Sequence, residues 1–228
     1  MKSILEYLNI NVKASIIHAT DDTIKQIVKN ELDHLGHDAD LNHIDVSKVT
    51  NIHNLFSCYN SDLGSEYTDL NPDISKWNVS NVLYMQYIFY ECKNFNQDLS
   101  KWDVRKVKNM HYMFFNCENF NQDLSLWDVS NVTDMAYMFY ECMNFNSDIS
   151  QWDVSKVDDM NSMFNTCKNF NQDLSQWNVS NVKDMRSMFW GCKKFNQDLS
   201  RWNIQNVKHY TFMFDRCPIK EEYKPKFS

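Results

Sequence analysis

One six-residue phrase, repeated at a fixed interval, constrains the fold of this chain more than any other feature. FNQDLS occurs at 95–100, 120–125, 170–175 and 195–200, and FNSDIS takes its place at 145–150. A tryptophan follows two positions after the serine of each copy. Successive copies are 25 residues apart, and a fixed period of this kind is typical of solenoids, propellers and repeat arrays, in which each unit buries its apolar side against the next.

Six apolar positions in each copy share this period and define a candidate core. In one copy they are Trp127, Val132, Met135, Met138, Phe139 and Cys142. One copy is too small to bury all of them, whereas stacked copies place like residue on like. Each buried Phe or Met then stabilises the stack by about 1.5–3 kcal/mol. Six of the seven cysteines are in this series, from Cys92 to Cys217. Because disulfide frameworks and zinc sites use paired spacings, we interpret these six as buried thiols.

The spacing within one copy predicts a strand, a short helical segment and turns. Val132, Met135 and Cys142 lie on one helical stripe in the segment 128–142, and Ser130 or Asn131 could cap its start. The preceding piece, L-S-x-W-D-V, alternates apolar residues as a strand does. A degenerate copy at 44–59 precedes a longer connection at about 60–72. The prediction is an α/β repeat of about seven coils, six of them regular.

Both ends of the chain interrupt the repeat and are predicted to cap it. Residues 20–36 predict a helix with Thr20 or Asp21 as N-cap, an apolar stripe and a terminal Gly36. The stripe consists of Ile24, Ile27, Val28, Leu32 and Leu35. The preceding residues 11–19 predict a strand. The predicted organisation is an N-terminal cap at 1–40, a solenoid at 41–217 and a C-terminal tail at 218–228.

Composition and missing motifs argue against several classes of function. The 228 residues carry a formal net charge of −7 and no basic block, so we expect no nucleic-acid partner. No apolar run is long enough for a membrane span, and the N-terminus does not resemble a signal peptide. A cytoplasmic protein is therefore expected from the sequence as written. There is no G-x-S-x-G, Walker loop or H-E-x-x-H, so we expect no enzyme, no catalytic residue and no cofactor.

Two polar columns and one histidine cluster are interpreted as structural. The asparagines are Asn96, Asn121, Asn146, Asn171 and Asn196, and the aspartates are Asp98, Asp123, Asp148, Asp173 and Asp198. Asn and Asp side chains complete turns in a chain with only three glycines. We favour this role over a calcium ladder because the Gly-rich calcium-binding nonapeptide is absent. His34 and His37 straddle the predicted helix end, so we also expect no metal site there, with or without His43.

Candidate binding residues lie at positions that vary between repeats. The predicted ligand-binding set is Tyr87, Tyr90, Tyr112, Phe115, Tyr137, Tyr140 and Trp190. On the predicted helical segment these aromatic residues point away from the core, where clustered exposed rings usually mark an interface. The alternative is that they pack against the neighbouring coil. A second candidate surface is the variable position before each tryptophan, occupied by Lys76, Lys101, Leu126, Gln151, Gln176 and Arg201.

The repeat M-F-x-x-C-x-x-F-N-Q-D-L-S-x-W-D-V-S-N-V-T-D-M resembles the BspA-like leucine-rich-repeat proteins, in the 25-residue version found in mycoplasma lipoproteins. The likeness covers about 38–217. It implies a right-handed, leucine-rich-repeat-like solenoid with a parallel sheet. It also implies bacterial or viral proteins, often displayed at a cell surface, that bind host or matrix proteins and carry no catalytic site in the repeats. No secretion signal or lipoprotein cysteine is visible near the start.

Together these observations predict a non-enzymatic module for protein–protein recognition, such as adhesion to a host or matrix protein. The alternative is a glycan-binding module in which the aromatic residues act as stacking platforms. A third class is an inhibitor in which rows of aspartate imitate DNA phosphates. Interleaved lysines break up the acidic surface and argue against that third class.

Overall fold

The repeats stack in parallel and in register. A computed structural model describes residues 15–59, 67 and 69–227. One residue of each repeat forms a parallel β-bridge with its counterpart in the next. The bridged pairs are Asn51–Tyr84, Tyr84–Asn109, Asn109–Asp134, Asp134–Asp159, Asp159–Asp184 and Asp184–His209. From Tyr84 onward each partner lies 25 positions further along the chain, so each residue column stacks on itself.

An N-terminal unit covers the first coil. It consists of strand β1 (Ile17–His18), helix α1 (Ile24–Leu35) and strand β2 (Ile44–Asp45). β1 pairs in parallel with β2. The described part of the predicted strand at 11–19 thus contains a two-residue strand, and 11–14 lies outside the described residues. Of the predicted apolar stripe, Ile24, Val28 and Leu32 are buried, Ile27 is half-buried and Leu35 is exposed.

The ends of α1 were predicted with different success. Gly36 has φ 93° and donates its N–H to the carbonyl of Leu32 at 2.8 Å, as a helix-ending glycine does. The predicted N-cap at Thr20 or Asp21 is wrong, because Thr23 holds that position. The Asp21 carboxylate instead accepts the N–H groups of Thr50 at 2.7 Å and Asn51 at 3.0 Å. It therefore ties the start of the cap to the first coil.

The predicted helical segment at 128–142 is wrong: the chain there is a run of turns. Every second N–H bonds to the next coil, for example Tyr137 N–H to Asn161 O at 2.8 Å and Phe139 N–H to Met163 O at 2.9 Å. The N–H groups in between close turns within the coil, such as Tyr140 N–H to Tyr137 O at 3.2 Å. An α-helix would use these donors internally and leave none to join the coils.

The L-S-x-W-D-V piece also differs from its prediction. In the regular coils it forms turns and extended backbone and no strand, although Trp127 and Val129 are buried and Asp128 between them is exposed. The tryptophan at this position of each coil is buried in the core and donates its indole N–H to a carbonyl of the preceding coil. Trp127 bonds to Leu99 O at 3.0 Å, and Trp152 bonds to Leu124 O at 3.0 Å. Burial of the ring together with a satisfied N–H explains why tryptophan recurs here.

The core runs through the stack as continuous columns. Trp, Val, Met, Phe and Cys of the regular coils are buried up to Trp202, and in the last coil Val207, Phe214 and Cys217 are half-buried. The tail folds back over this end: Tyr223 O accepts the N–H of Leu199 at 2.8 Å, and Phe227 stacks on Tyr210. A short 3-10 helix, Glu221–Tyr223, makes this return.

Candidate functional site

Six of the predicted binding residues form one continuous surface, the aromatic face. It consists of Tyr87, Tyr90, Tyr112, Phe115, Tyr137 and Tyr140, all half-buried. The backbone explains the arrangement. Tyr87, Tyr112 and Tyr137 have left-handed φ values of 58°, 56° and 58°. Each therefore forms a turn of the backbone between two core residues. The residues two positions before and two positions after each of them point into the core, while the ring itself stays at the surface.

The six rings form two ladders that run along the stack. In the first ladder the ring centroids of Tyr87 and Tyr112 are 4.9 Å apart, and those of Tyr112 and Tyr137 are 4.5 Å apart. The second ladder has Phe115 4.7 Å from Tyr90 and 4.6 Å from Tyr140. Neighbouring rings within each ladder lie within 11° of parallel. Each inner ring therefore has its faces covered, and the ladders present ring edges and hydroxyl groups.

Trp190 does not join this face. Asn165 occupies the corresponding position in the coil between Tyr140 and Trp190, and its side chain is buried. The Arg216 guanidinium lies 4.7 Å from the centroid of the Trp190 ring, a cation–π contact. The first ladder likewise ends at Ser162, which is 4% exposed. The structure thus brings together six of the seven predicted residues.

Burial keeps four phenols of the aromatic face neutral over the physiological range. Burial raises the pKa of Tyr112 to about 12, helped by Tyr137 and Tyr87. Burial also raises the pKa of Tyr87, Tyr90 and Tyr140. A neutral phenol both donates and accepts hydrogen bonds. The face can therefore offer apolar ring edges and polar hydroxyls to a ligand together.

A polar groove of about 450 Å³ borders this face, and sequence reasoning missed it. Its lining residues are Asn51, His53, Tyr84, Gln86, Tyr87, Asn109, His111 and Asp134. Tyr84 is 51% exposed and belongs to the bridge column, in which the other residues are Asn, Asp or His. That one aromatic residue in a polar column was the signal that could have revealed the groove. A smaller recess of about 300 Å³ shares His53 and Tyr87 and adds Tyr59 and Tyr90.

The bridge column also carries the charge beside the aromatic face. Burial by itself would raise the pKa of Asp134, but hydrogen bonds from His111 and from the N–H of Ala136 outweigh burial and lower this pKa. His111 Nδ1 lies 3.3 Å from the carboxylate. Asp159, one coil further, has a raised pKa because it is buried and lies between the carboxylates of Asp184 and Asp134. The negative charge is thus held more firmly at Asp134, in the polar groove, than at Asp159.

Both invariant polar columns are structural, but only the aspartates close turns within a coil, whereas the asparagines bond from one coil to the next. Asn121 N–H bonds to Asn96 Oδ1 at 2.9 Å, and this bond recurs along the column. Asp123 Oδ1 accepts the N–H of Ser125 at 2.9 Å, and the same turn recurs at the other aspartates. In the part of the chain that the structure describes, no group of three or more His, Cys, Asp or Glu is arranged to hold a metal ion. His43 pairs with Glu31, and His37 pairs with Asp69.

The cysteine column is arranged for packing. Cys117, Cys142, Cys167 and Cys192 are buried, and each donates its thiol to the carbonyl of a phenylalanine in the preceding coil at 2.8–3.0 Å. Burial raises the pKa of all four thiols. A protonated, enclosed thiol is a poor nucleophile. These four residues therefore act as small apolar side chains.

The second candidate surface consists of single exposed side chains. Lys76, Lys101, Leu126, Gln151, Gln176 and Arg201 are all exposed. Leu126 is 83% exposed, between the polar side chains of the adjacent coils. Among the residues that the structure describes, no helix is both long and apolar enough to cross a lipid bilayer.

Comparison with known proteins gives a family without an assigned function. No curated protein and no solved structure matches the chain. One family does match, twice, at residues 24–140 and 117–225. The two matches together span most of the sequence, including the aromatic face and the polar groove. The chain belongs to the family described as Mycoplasma protein of unknown function, DUF285.

Proposed function

We propose that this chain is a non-enzymatic recognition module, wound as a right-handed leucine-rich-repeat-like solenoid, that binds a partner protein through its aromatic face. The observation that carries the proposal is the pair of ring ladders across three successive coils. The rings are half-exposed and lie on a backbone fixed by hydrogen bonds to the next coil. Tyrosine is among the residues that dominate binding energy at protein interfaces. A preorganised row of tyrosines loses little conformational freedom on binding.

The ladder geometry favours a protein over a glycan at this face. Sugars stack on the open faces of aromatic rings. In the ladders, Tyr112 and Phe115 have a neighbouring ring over each face. Ring edges and phenol hydroxyls remain, and these pack against apolar side chains and bond to backbone groups. The glycan alternative is therefore weaker for the aromatic face than it was for the sequence alone.

The charges around the face indicate the character of the partner surface. Glu91 and Glu141 follow Tyr90 and Tyr140 directly, and Asp134 lies beside the first ladder. Complementary charge at the rim of an interface speeds association and fixes orientation. We therefore propose a partner patch with an apolar centre and Lys or Arg at its edge. Adhesion to a host or matrix protein, and the closer likeness to BspA-like proteins, belong to the same proposal.

A second candidate function rests on the polar groove. Tyr84 offers a ring that is half-exposed, next to the amides of Asn51 and Asn109 and the carboxylate of Asp134. An open ring beside planar amide and carboxylate groups is the combination that binds a sugar ring. We propose a glycan as the alternative ligand, placed in this groove rather than on the ladders.

The test compares three variants of the full chain. Tyr112→Ala with Tyr137→Ala removes two of the three rings of the first ladder, Tyr84→Ala opens the groove, and Leu126→Ala is the matched control on another surface. Proteins captured from host or matrix extract are quantified by mass spectrometry, and the affinity of the leading partner is measured for each variant. Loss of these two tyrosines is expected to weaken binding at least about 30-fold, the effect of a hot spot.

Each variant addresses a different proposal. A Tyr112/Tyr137 variant that binds the captured protein as tightly as the unsubstituted chain does would refute the aromatic face as its site. Retention on a glycan array that is lost only in Tyr84→Ala would support the groove as a glycan site. Circular dichroism of all three variants is the control that checks whether the fold is intact.

A further inference from the structure

Cys58 is not a member of the cysteine column, but it contacts the first member of that column, Cys92. The Sγ atoms of Cys58 and Cys92 are 2.8 Å apart, although the residues are 34 positions apart in the chain. Cys58 lies outside the 25-residue series and belongs to the irregular first coil. Cys92 also donates its thiol to Phe56 O at 2.8 Å, as the later members of the column do to their own phenylalanines. Cys92 thus keeps the ordinary role of its column and gains a second thiol as neighbour.

The backbone places the segments that carry the two cysteines side by side. The N–H of Cys58 donates to Tyr90 O at 2.8 Å, so the first coil runs beside the segment that ends at Cys92. Segments bonded in this way lie about 4.8 Å apart. Disulfide-linked residues have Cα atoms about 4.4–6.8 Å apart. The sulfur atoms can therefore close to bonding distance through side-chain rotation.

We propose that Cys58 and Cys92 form an intramolecular disulfide when the protein meets a small-molecule disulfide such as oxidised glutathione. The Cys58 thiolate attacks one glutathione sulfur, which forms a mixed disulfide and releases one glutathione thiolate. The Cys92 thiolate then attacks the Cys58 sulfur and releases the second glutathione. Two protein thiols lose two electrons and two protons, and one glutathione disulfide is reduced to two molecules of glutathione.

Accessibility sets the order of these two steps. Cys58 is partly exposed, whereas Cys92 is fully buried, so the bulky oxidant reaches Cys58 first. Burial also raises the pKa of Cys92, and exchange requires a thiolate. The closing step is therefore slow near neutral pH and becomes faster as the pH rises. The bond would staple the irregular first coil to the regular repeats, and it does not depend on the proposed function.

Digestion with trypsin places the two cysteines in different peptides. Cleavage after Lys48, Lys76 and Lys93 places Cys58 in the peptide 49–76 and Cys92 in the peptide 77–93. The full chain is incubated with oxidised glutathione, then denatured, alkylated and digested without reduction. The expected result is a linked pair of these two peptides, loss of alkylation at both cysteines, and continued alkylation of the other five. The intact mass falls by about 2 Da, the loss of two protons with their electrons.

Two serine variants make the result specific. Cys58→Ser should abolish the linked peptides and leave Cys92 alkylated, because the buried Cys92 then has no partly exposed thiol beside it that the oxidant can reach. Cys217→Ser removes the other partly exposed cysteine and should leave the link unchanged. The oxidised wild type should also unfold at a higher temperature than the oxidised Cys58→Ser variant. Full alkylation of Cys58 and Cys92 after oxidation of the folded protein, or a link from Cys92 to Cys117 instead, would overturn the proposal.

Discussion

The inner phenylalanine column and the aromatic face both consist of stacked rings, but the first is buried and the second is half-exposed. The inner column consists of Phe89, Phe114, Phe139, Phe164, Phe189 and Phe214, with ring centroids 5.4–5.8 Å apart. It passes through every regular coil and is fully buried up to Phe189. The aromatic face is half-exposed and stops after three coils. Stacking of rings is therefore not in itself a sign of a core.

The coil in which the aromatic face ends is an internal control. Ser162 takes the place of Tyr137, yet the two backbones are nearly the same. Their φ values are 55° and 58°, and both N–H groups bond to the next coil at 2.8 Å. The backbone therefore accepts either residue at this position. Because the fold does not require tyrosine there, the ladders of the aromatic face need another explanation, and the proposed ligand binding would supply one.

The largest expected effect is on the inner column. Phe139→Ala removes a fully buried ring that stacks on Phe114 and Phe164. Truncation of a buried Phe to Ala costs about 3–5 kcal/mol, because contacts are lost and a cavity remains. Chemical denaturation followed by circular dichroism measures this loss. A loss below about 1 kcal/mol would mean that neighbouring coils can collapse around the gap and that the inner column is not what holds the stack.

The next largest effect is expected from loss of an indole N–H hydrogen bond in the core. Trp152→Phe keeps an aromatic ring but removes the indole N–H that bonds to Leu124 O at 3.0 Å. A buried carbonyl without its donor, together with the smaller ring, is expected to destabilise the protein by about 1–3 kcal/mol. The same denaturation measurement applies, with Leu126→Ala as the exposed control. Equal stability of both variants would show that the indole bond is dispensable.

Tyr137→Ser should have a smaller effect on stability, since it copies the residue that nature places at 162. The lost ring stacking is worth about 0.5–1.5 kcal/mol, well below the loss expected for Phe139→Ala. Binding of a partner protein at the aromatic face should fall far more than stability does. Measurement of both quantities on one variant sharpens the comparison. A loss of stability as large as that of Phe139→Ala would assign the ladder to the fold instead.

Much of the core could be predicted from the sequence because the 25-residue period places every column on itself. The helical segment was wrongly predicted for a physical reason. Val132, Met135, Met138 and Cys142 are buried at steps of three and four, and a chain of three-residue turns buries the same positions as a helix. The difference lies in bonds such as Tyr137 N–H to Asn161 O. These bonds join different coils and leave no pattern within one coil.

The aromatic rings of the candidate site could be predicted from the sequence, whereas the polar groove beside them could not. Six aromatic residues were found because they break an otherwise regular pattern. Trp190 was grouped with them because it occupies the same position of the repeat, although Asn165 stands at that position in the coil between it and Tyr140. The polar groove was missed because its residues come from separate coils. Asn51 and Asn109 look like ordinary turn residues, and only Tyr84 stands out. Only stacking brings them together.

The smallest expected effect is at Asp159, in the bridge column one coil beyond the aromatic face. Asp159→Asn keeps the side-chain oxygen that accepts the N–H of Asn161 at 2.8 Å, and Asn109 already occupies the same column. The pKa of Asp159 is raised in the folded protein by burial and by Asp184 and Asp134. Its ionisation therefore costs stability as the pH rises, and the asparagine variant should be more stable at pH 7 by about 0.2–1 kcal/mol, the range for one like-charge pair.

The pH dependence separates this effect from a general change in packing. Below about pH 3.9, the ordinary pKa of aspartate, the carboxyl is protonated in both states, and the advantage of Asp159→Asn should disappear. Asp148→Asn is the matched control with the opposite sign. The N–H and the hydroxyl of Ser150 lower the pKa of Asp148, so its charge stabilises the fold above that pH and the variant should be less stable at pH 7. An advantage of Asp159→Asn that persisted unchanged at pH 3 would show that carboxylate repulsion is not its cause.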